Sequence, residues 1–204
     1  MKKTAERSVT EVRLVEAAVQ LFSRQGFKGT STRDIAHLAD VNEDTLFRYF
    51  SKKADLFWAA AESRLNRLKF GRELQNGLAK DLDPSVIVPM LAAFMVENLS
   101  EHPELVRLLY VARFELPGAE RVFREHLGPI FDAINAYFSR CAAKGLIRDL
   151  DPTIATLGLA GAVSAHLDLY QLFTGQEVPG DLRNAAPAYA EFWLNALQQR
   201  PQQS

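Results

Sequence analysis

The sequence predicts an all-α fold, and three observations carry that reading. No segment sustains apolar/polar alternation, and no Asn-Gly or Asp-Gly pair joins two β-branched runs, so strand and hairpin signals are missing. Apolar residues recur instead at helical spacing, as in Val12, Val15, Ala18, Val19 and Phe22. Capping and breaking residues, among them Ser31, Asn42, Asp83-Pro84 and Asp151-Pro152, punctuate those runs. With 48% hydrophobic and 24% charged residues, the chain has the apolar surface for a packed core and is not disordered.

The first helix is expected to open at Ser8, where Ser8 and Glu11 form a capping box, and to close at Gly26. A second, two-turn helix begins at the Ser31/Asp34 capping pair and carries Ile35, Ala36 and Leu38 to about Ala39. Asn42 caps a third short helix running to about Phe50. A fourth, long helix follows, its cap displaced to Ser51 because Lys52 has no capping oxygen. Ile35, Leu38, Val41, Leu46 and Phe50 have the spacing to close the two short helices on the first, and are expected in the core. Further helices start at Asp83-Pro84, Pro103, Pro117 and Asp151-Pro152. Gly128-Pro129 breaks the segment after Pro117, and a last helix ends near Gln199, giving nine or ten in all.

Several function classes lose support at this level. The charged N-terminal residues do not resemble a secretory signal, and the longest uncharged run, Pro152 to Leu167, is shorter than the roughly 18 to 20 residues of a membrane span. A cytoplasmic protein without a membrane partner is expected. The single cysteine, Cys141, precludes an intrachain disulfide, suits a reducing compartment and reads as a small buried hydrophobe. His37, His102, His126 and His166 show no paired metal-ligand spacing, so neither metal nor cofactor is expected. Ser164, His166 and Asp168 come nearest to a catalytic triad. On a helix, however, His166 points about 200° away from the other two, and no nucleophile elbow or Gly-rich phosphate loop is present. An enzyme is not expected.

Two short helices joined by a tight turn and packed on a longer one make a helix-turn-helix, whose second short helix enters the DNA major groove. The residues that fill this frame are Gly26-Phe27, Thr32 to Ala36, Val41 to Phe50 and Lys53 to Leu56. Over about 50 residues without a gap they resemble the N-terminal signature of the TetR family of transcriptional regulators. The resemblance implies a DNA-binding domain over residues 8–70 and a C-terminal helical domain over 71–200 for ligand binding and dimerisation. It also implies three partners: double-stranded operator DNA, a second copy of the chain and a small-molecule effector. Charge agrees, since residues 1–70 carry a net +4 and residues 71–204 a net −5.

Within that frame, Thr32 and Arg33 stand at the start of the second helix, where hydroxyl and guanidinium can meet a phosphate. Thr45, Arg48 and Tyr49 project from the third helix with donors long enough for backbone or base edges. Lys53 matches the family lysine that contacts phosphate. Phe47 stands where many members have tyrosine; it loses that hydroxyl and is left outside the site. Glu43 and Asp44 put negative charge where bases are usually read. Two readings stand side by side: anions stabilising the first helical turn, and, for Glu43, acceptance of a hydrogen bond from a cytosine amine.

In the second domain, the Asp151 to Thr174 helix has Ile154, Leu157, Leu159, Val163, Leu167 and Leu172 spread around it, with Gly158, Gly161 and Ala162 between. That is apolar on too many sides for a surface helix, so a second subunit is expected to cover part of it, together with the Ala185 to Gln199 helix. Met90, Phe94, Tyr110, Phe114, Phe131 and Tyr137, with Glu97, Arg113 and Glu115 among them, are the candidates for an effector pocket. A different class of function remains open: a helical small-molecule carrier or protein-interaction module that binds no DNA.

Overall fold

The computed structural model describes residues 2–68, 70–176 and 182–198. The side chains of Ser8, Leu167, Asp168 and Leu172, named above, lie outside the described residues. Among the described residues the chain is helical throughout and contains no strand. The helices are α1 (Lys2–Gly29), α2 (Thr32–Leu38), α3 (Glu43–Tyr49), α4 (Lys53–Leu65), α5 (Arg72–Ala79) and α6 (Pro84–Glu101). Then come α7 (Pro103–Glu115), α8 (Ala119–Val122), a π-helical turn (Phe123–Leu127), α9 (Gly128–Ala143), α10 (Pro152–Thr174), a 3-10 turn (Leu182–Ala185) and α11 (Ala186–Leu197). No helix of the described residues is long and apolar enough to cross a membrane. No group of three or more potential metal ligands occurs among them.

Several boundaries differ from the expected ones. Helix α1 runs through Ser8 from Lys2, so Ser8 is not its first turn. Gly26 does interrupt it, with φ +74°, although helical geometry resumes as far as Gly29. Lys52 is the N-cap residue of α4; the turn is closed by the Asp55 carboxylate, which accepts the Lys52 N–H at 3.1 Å. That helix stops at Leu65, and α5, unforeseen in the sequence, follows. Pro117 starts no helix: it lies in a turn whose next residue, Gly118, has φ +95°, and α8 opens at Ala119. The break expected at Gly128-Pro129 takes the form of the π turn just before it.

Two compact units result. The first comprises Met1–Leu68 with His102–His126. Its core is Leu14, Ala18, Phe22, Ile35, Leu46, Leu56, Phe57 and Leu108, brought together from α1, α2, α3, α4 and α7. Val12 is 55% exposed whereas Leu14 is fully buried, because the docked face of α1 follows 14, 18 and 22 and leaves residue 12 turned away. Leu38 is 45% exposed for a similar reason: Ile35, Ala36 and Ala39 form the buried stripe of α2, and Leu38 lies roughly 100° off its centre. Arg64 of α4 is buried and gives both Nη groups to the Glu16 carboxylate of α1 and its Nε to Glu104 of α7. These bonds hold three helices to one guanidinium.

The second unit comprises Lys69–Glu101 with Leu127–Ser204. Helix α6 packs on α5, α10 and α11, and α9 packs on α5 and α10. Ile87, Leu91, Tyr137, Phe138, Leu159 and Leu197 fill the core. The Tyr137 hydroxyl donates to the Leu82 carbonyl at 2.8 Å, which satisfies the polar tip of a fully buried ring. Asp81, at φ +53°, receives Arg140 at 2.6 Å and Lys144 at 2.7 Å, and these two cations hold its carboxyl below the usual range. Burial pushes the Cys141 thiol up, which suits the inert core role expected of it.

Candidate nucleic-acid interface

Helices α2 and α3 are seven residues each, and a side chain starts each of them. Ser31 Oγ accepts the Asp34 N–H at 3.0 Å and donates to the Asp34 carboxylate at 2.6 Å. Asn42 Oδ1 accepts the Thr45 N–H at 2.7 Å. Between the helices Asp40 takes φ +52°, a left-handed conformation that Asp tolerates better than most residues. Its carboxylate meets Arg13 of α1 at 2.9 Å. The turn is therefore set by backbone geometry and tied back to α1, and α3 is presented at a fixed angle.

On α3, Leu46 is buried while Asp44, Phe47 and Arg48 are exposed; Glu43, Thr45 and Tyr49 are half-buried. The spacing i, i+3, i+4 makes 44, 47 and 48 one outward face. Arg48 lies on that face and donates to Thr45 Oγ1 at 2.9 Å, which aims its guanidinium along the helix. Tyr49 packs its ring against the first core. Arg33 is exposed at the start of α2, and the Thr32 hydroxyl donates to the Glu43 carboxylate. Glu43 thus ties the beginnings of the two short helices together, from the first turn of α3, where an anion also favours the helix dipole. Phe47, left outside the site in the sequence for want of a hydroxyl, is 47% exposed in the middle of the outward face.

Lys53 lies close to this surface but is already engaged. Its ammonium donates to the carbonyls of Phe27 at 2.8 Å and Thr30 at 2.9 Å and sits 4.2 Å above the Phe27 ring. A lysine has three N–H donors, and these two bonds engage two of them.

The six residues proposed for a pocket are divided between the two units, and three of them, Met90, Phe94 and Tyr137, meet at the core of the second. Tyr110 and Phe114 lie on α7 in the first unit with their rings stacked and exposed. Met90 and Phe94 on α6, and Phe131 and Tyr137 on α9, belong to the second. Glu115 faces the Gly26–Lys28 backbone of the first unit. The second unit does have an open groove of about 600 Å³ between α5 and α9, lined by Phe70, Leu78, Ile130, Ala133 and Arg140 among others.

Comparison with known proteins agrees with this geometry. The profile described as bacterial regulatory proteins, tetR family, matches residues 14–60. The HTH-type transcriptional regulator AcrR of Shigella flexneri is 26% identical over 203 residues, covering 95% of this chain and 91% of its own. The transcriptional regulator FadR of Bacillus subtilis, solved with stearoyl-CoA, superposes with a TM-score of 0.68 at 15% identity, covering 92% of this chain and 99% of that one. AibR, solved with isovaleryl coenzyme A and operator DNA, gives 0.68 at 16% identity, covering 92% and 97%. At such identities the two structures speak for the fold. Taken with the capped α2–α3 pair, the comparisons show that residues 14–60 match the DNA-binding domain of the tetR family, and that the chain over nearly its whole length is similar to TetR/AcrR-type helix-turn-helix transcriptional regulators.

Proposed function

We propose that two copies of this chain bind an inverted-repeat operator through residues 8–70, repress the adjacent promoter, and leave the DNA when a small, largely apolar molecule binds the second unit. The observation that carries the DNA reading is the single outward face of α3, with Asp44, Phe47 and Arg48 exposed on a helix whose other side is locked into the core. Phe47 joins Thr32, Arg33, Thr45, Arg48, Tyr49 and Lys53 as a contact residue; its ring suits the methyl group of a thymine. The α5–α9 groove supports the effector reading, and the acyl thioesters held by FadR and AibR are the first molecules to try, because their apolar acyl chains suit the groove while the charged coenzyme can stay in solvent.

Selection of bound sequences from random duplex DNA tests the DNA reading. An inverted repeat with half-sites about one helical turn, or a multiple of it, apart is the expected product. Phe47→Ala relaxes selection at a T·A pair. Lys53→Ala weakens binding to all sequences and lowers the salt slope by about two per dimer, one phosphate per subunit. Failure of the wild-type chain to bind DNA at low salt would favour the carrier or interaction module instead.

A further inference from the structure

Residues 26–31, which lead from α1 into α2, are gripped from two sides. The Thr30 hydroxyl donates back to the Gly26 carbonyl at 2.8 Å, and Thr30 is buried. From α4, Lys53 takes the Phe27 and Thr30 carbonyls. From the last turn of α7, the Glu115 carboxylate accepts the Lys28 N–H at 2.8 Å across 87 positions of sequence. A cation therefore holds connector carbonyls while an anion holds a connector amide, each matching the local backbone dipole.

Glu115 and Gly26 also fit each other. A Cβ built on Gly26 would lie 2.6 Å from Glu115 Oε1, closer than any nonbonded contact allows. Gly26 is thus favoured twice: its φ of +74° is one that side chains disfavour, and a side chain there would push the Glu115 carboxylate from its place. The lock sits immediately before the Ser31 cap and the candidate phosphate contacts Thr32 and Arg33.

We propose that Glu115 is a positioning residue for DNA binding. It touches no DNA, and acts by fixing the Gly26–Ser31 connector and with it the N-terminal end of α2. The inference rests on the DNA reading given above, and it makes α7 part of the reading head rather than a passive neighbour. Loss of the carboxylate removes no phosphate-contacting side chain, but lets the N-terminal end of α2, with Thr32 and Arg33, wander from its productive position.

The test uses the full chain and the operator obtained by selection. Glu115→Ala is expected to weaken operator binding roughly tenfold, with the salt slope and the preferred sequence unchanged. Exchange of the Lys28 amide should accelerate about tenfold or more while α4 amides keep their protection. Glu115→Gln keeps an oxygen that can accept the Lys28 N–H, and should recover most of the affinity. Gly26→Ala should cost less in the Glu115→Ala background than in the wild type, because the clashing carboxylate is gone. The proposal is overturned if Glu115→Ala binds as the wild type does, or if its affinity loss is no greater than its loss of folded fraction measured by circular dichroism. A lowered salt slope would also overturn it, by making Glu115 part of the phosphate-contacting surface. Failure of the wild type itself to select a sequence would instead remove the DNA reading on which the inference stands.

Discussion

Arg64 lies buried between carboxylates from two other helices, and its exclusion from water decides what its removal does. Only 6% of its side chain is exposed, and its donors are shared between Glu16 and Glu104. Arg64→Ala should therefore destabilise the protein by roughly 1 to 3 kcal/mol, because it removes the guanidinium from Glu104, 23% exposed, while Glu16, 41% exposed, is partly resolvated. The Arg64 hydrogen bond, ahead of an opposing burial effect and further attraction from Arg64 and Arg67, holds the Glu16 carboxyl below its ordinary value of 4.5. A group whose folded pKa is depressed contributes stability above its unfolded pKa and loses that contribution as pH falls through the folded one. Wild type and Arg64→Ala should thus differ by a constant amount above about pH 5 and converge below it. Urea unfolding at a series of pH values would expose a gap that fails to narrow.

At the scale of elements, α10 and α11 present an uncovered apolar stripe. Ile154, Leu157, Leu169 and Phe173 on α10 are exposed, as is Phe192 on α11. Gly161 lies in the same stripe, and a Cβ there would meet nothing within 4 Å. Gly158 is different: its missing Cβ is where the Trp193 ring packs, and Trp193 Nε1 donates to the Ala155 carbonyl at 3.1 Å. The two glycines expected to allow close helix approach therefore divide the work, one within the chain and one on its surface. Gly161→Arg can be accommodated by a single chain but places a charge in the middle of the stripe, so it tests dimerisation without disturbing the fold. Sedimentation is expected to show a dimer for the wild type and a monomer for the variant at micromolar concentration. Operator affinity should fall although the reading head is intact. A wild-type monomer would refute the interface.

For the whole molecule, the proposed effector must act by linkage. A ligand releases DNA only to the extent that it prefers the conformation with lower DNA affinity. A preference of about 1 to 3 kcal/mol weakens DNA binding roughly 5- to 150-fold, and operator DNA must weaken ligand binding by the same factor. Stearoyl-CoA and isovaleryl-CoA should be titrated against the chain with and without saturating operator. Titrations in which ligand binds but neither ligand nor operator shifts the affinity for the other would refute the coupling. A thermal shift without any change in operator affinity would show a binding site that does not regulate.

The sequence determined what depends on residues within about four positions of one another. Ser31, Asn42, Asp83 and Asp151 bond to amides two or three residues onward, so the starts of α2, α3, α6 and α10 were legible in the chain. The family signature added the frame around them. Tertiary packing decided the rest. It chose Leu14 over Val12 as the docked face of α1, and turned Leu38 and Phe47 outward. It also bound Lys53 to carbonyls 23 and 26 positions away and divided the aromatic residues of the middle helices between two units. Above all, it set Glu115 against Gly26 and Lys28. No periodicity or cap signal encodes that contact, because it arises only when α7 docks on α1, and the cost of closing so long a loop is met by the buried surface of both helices.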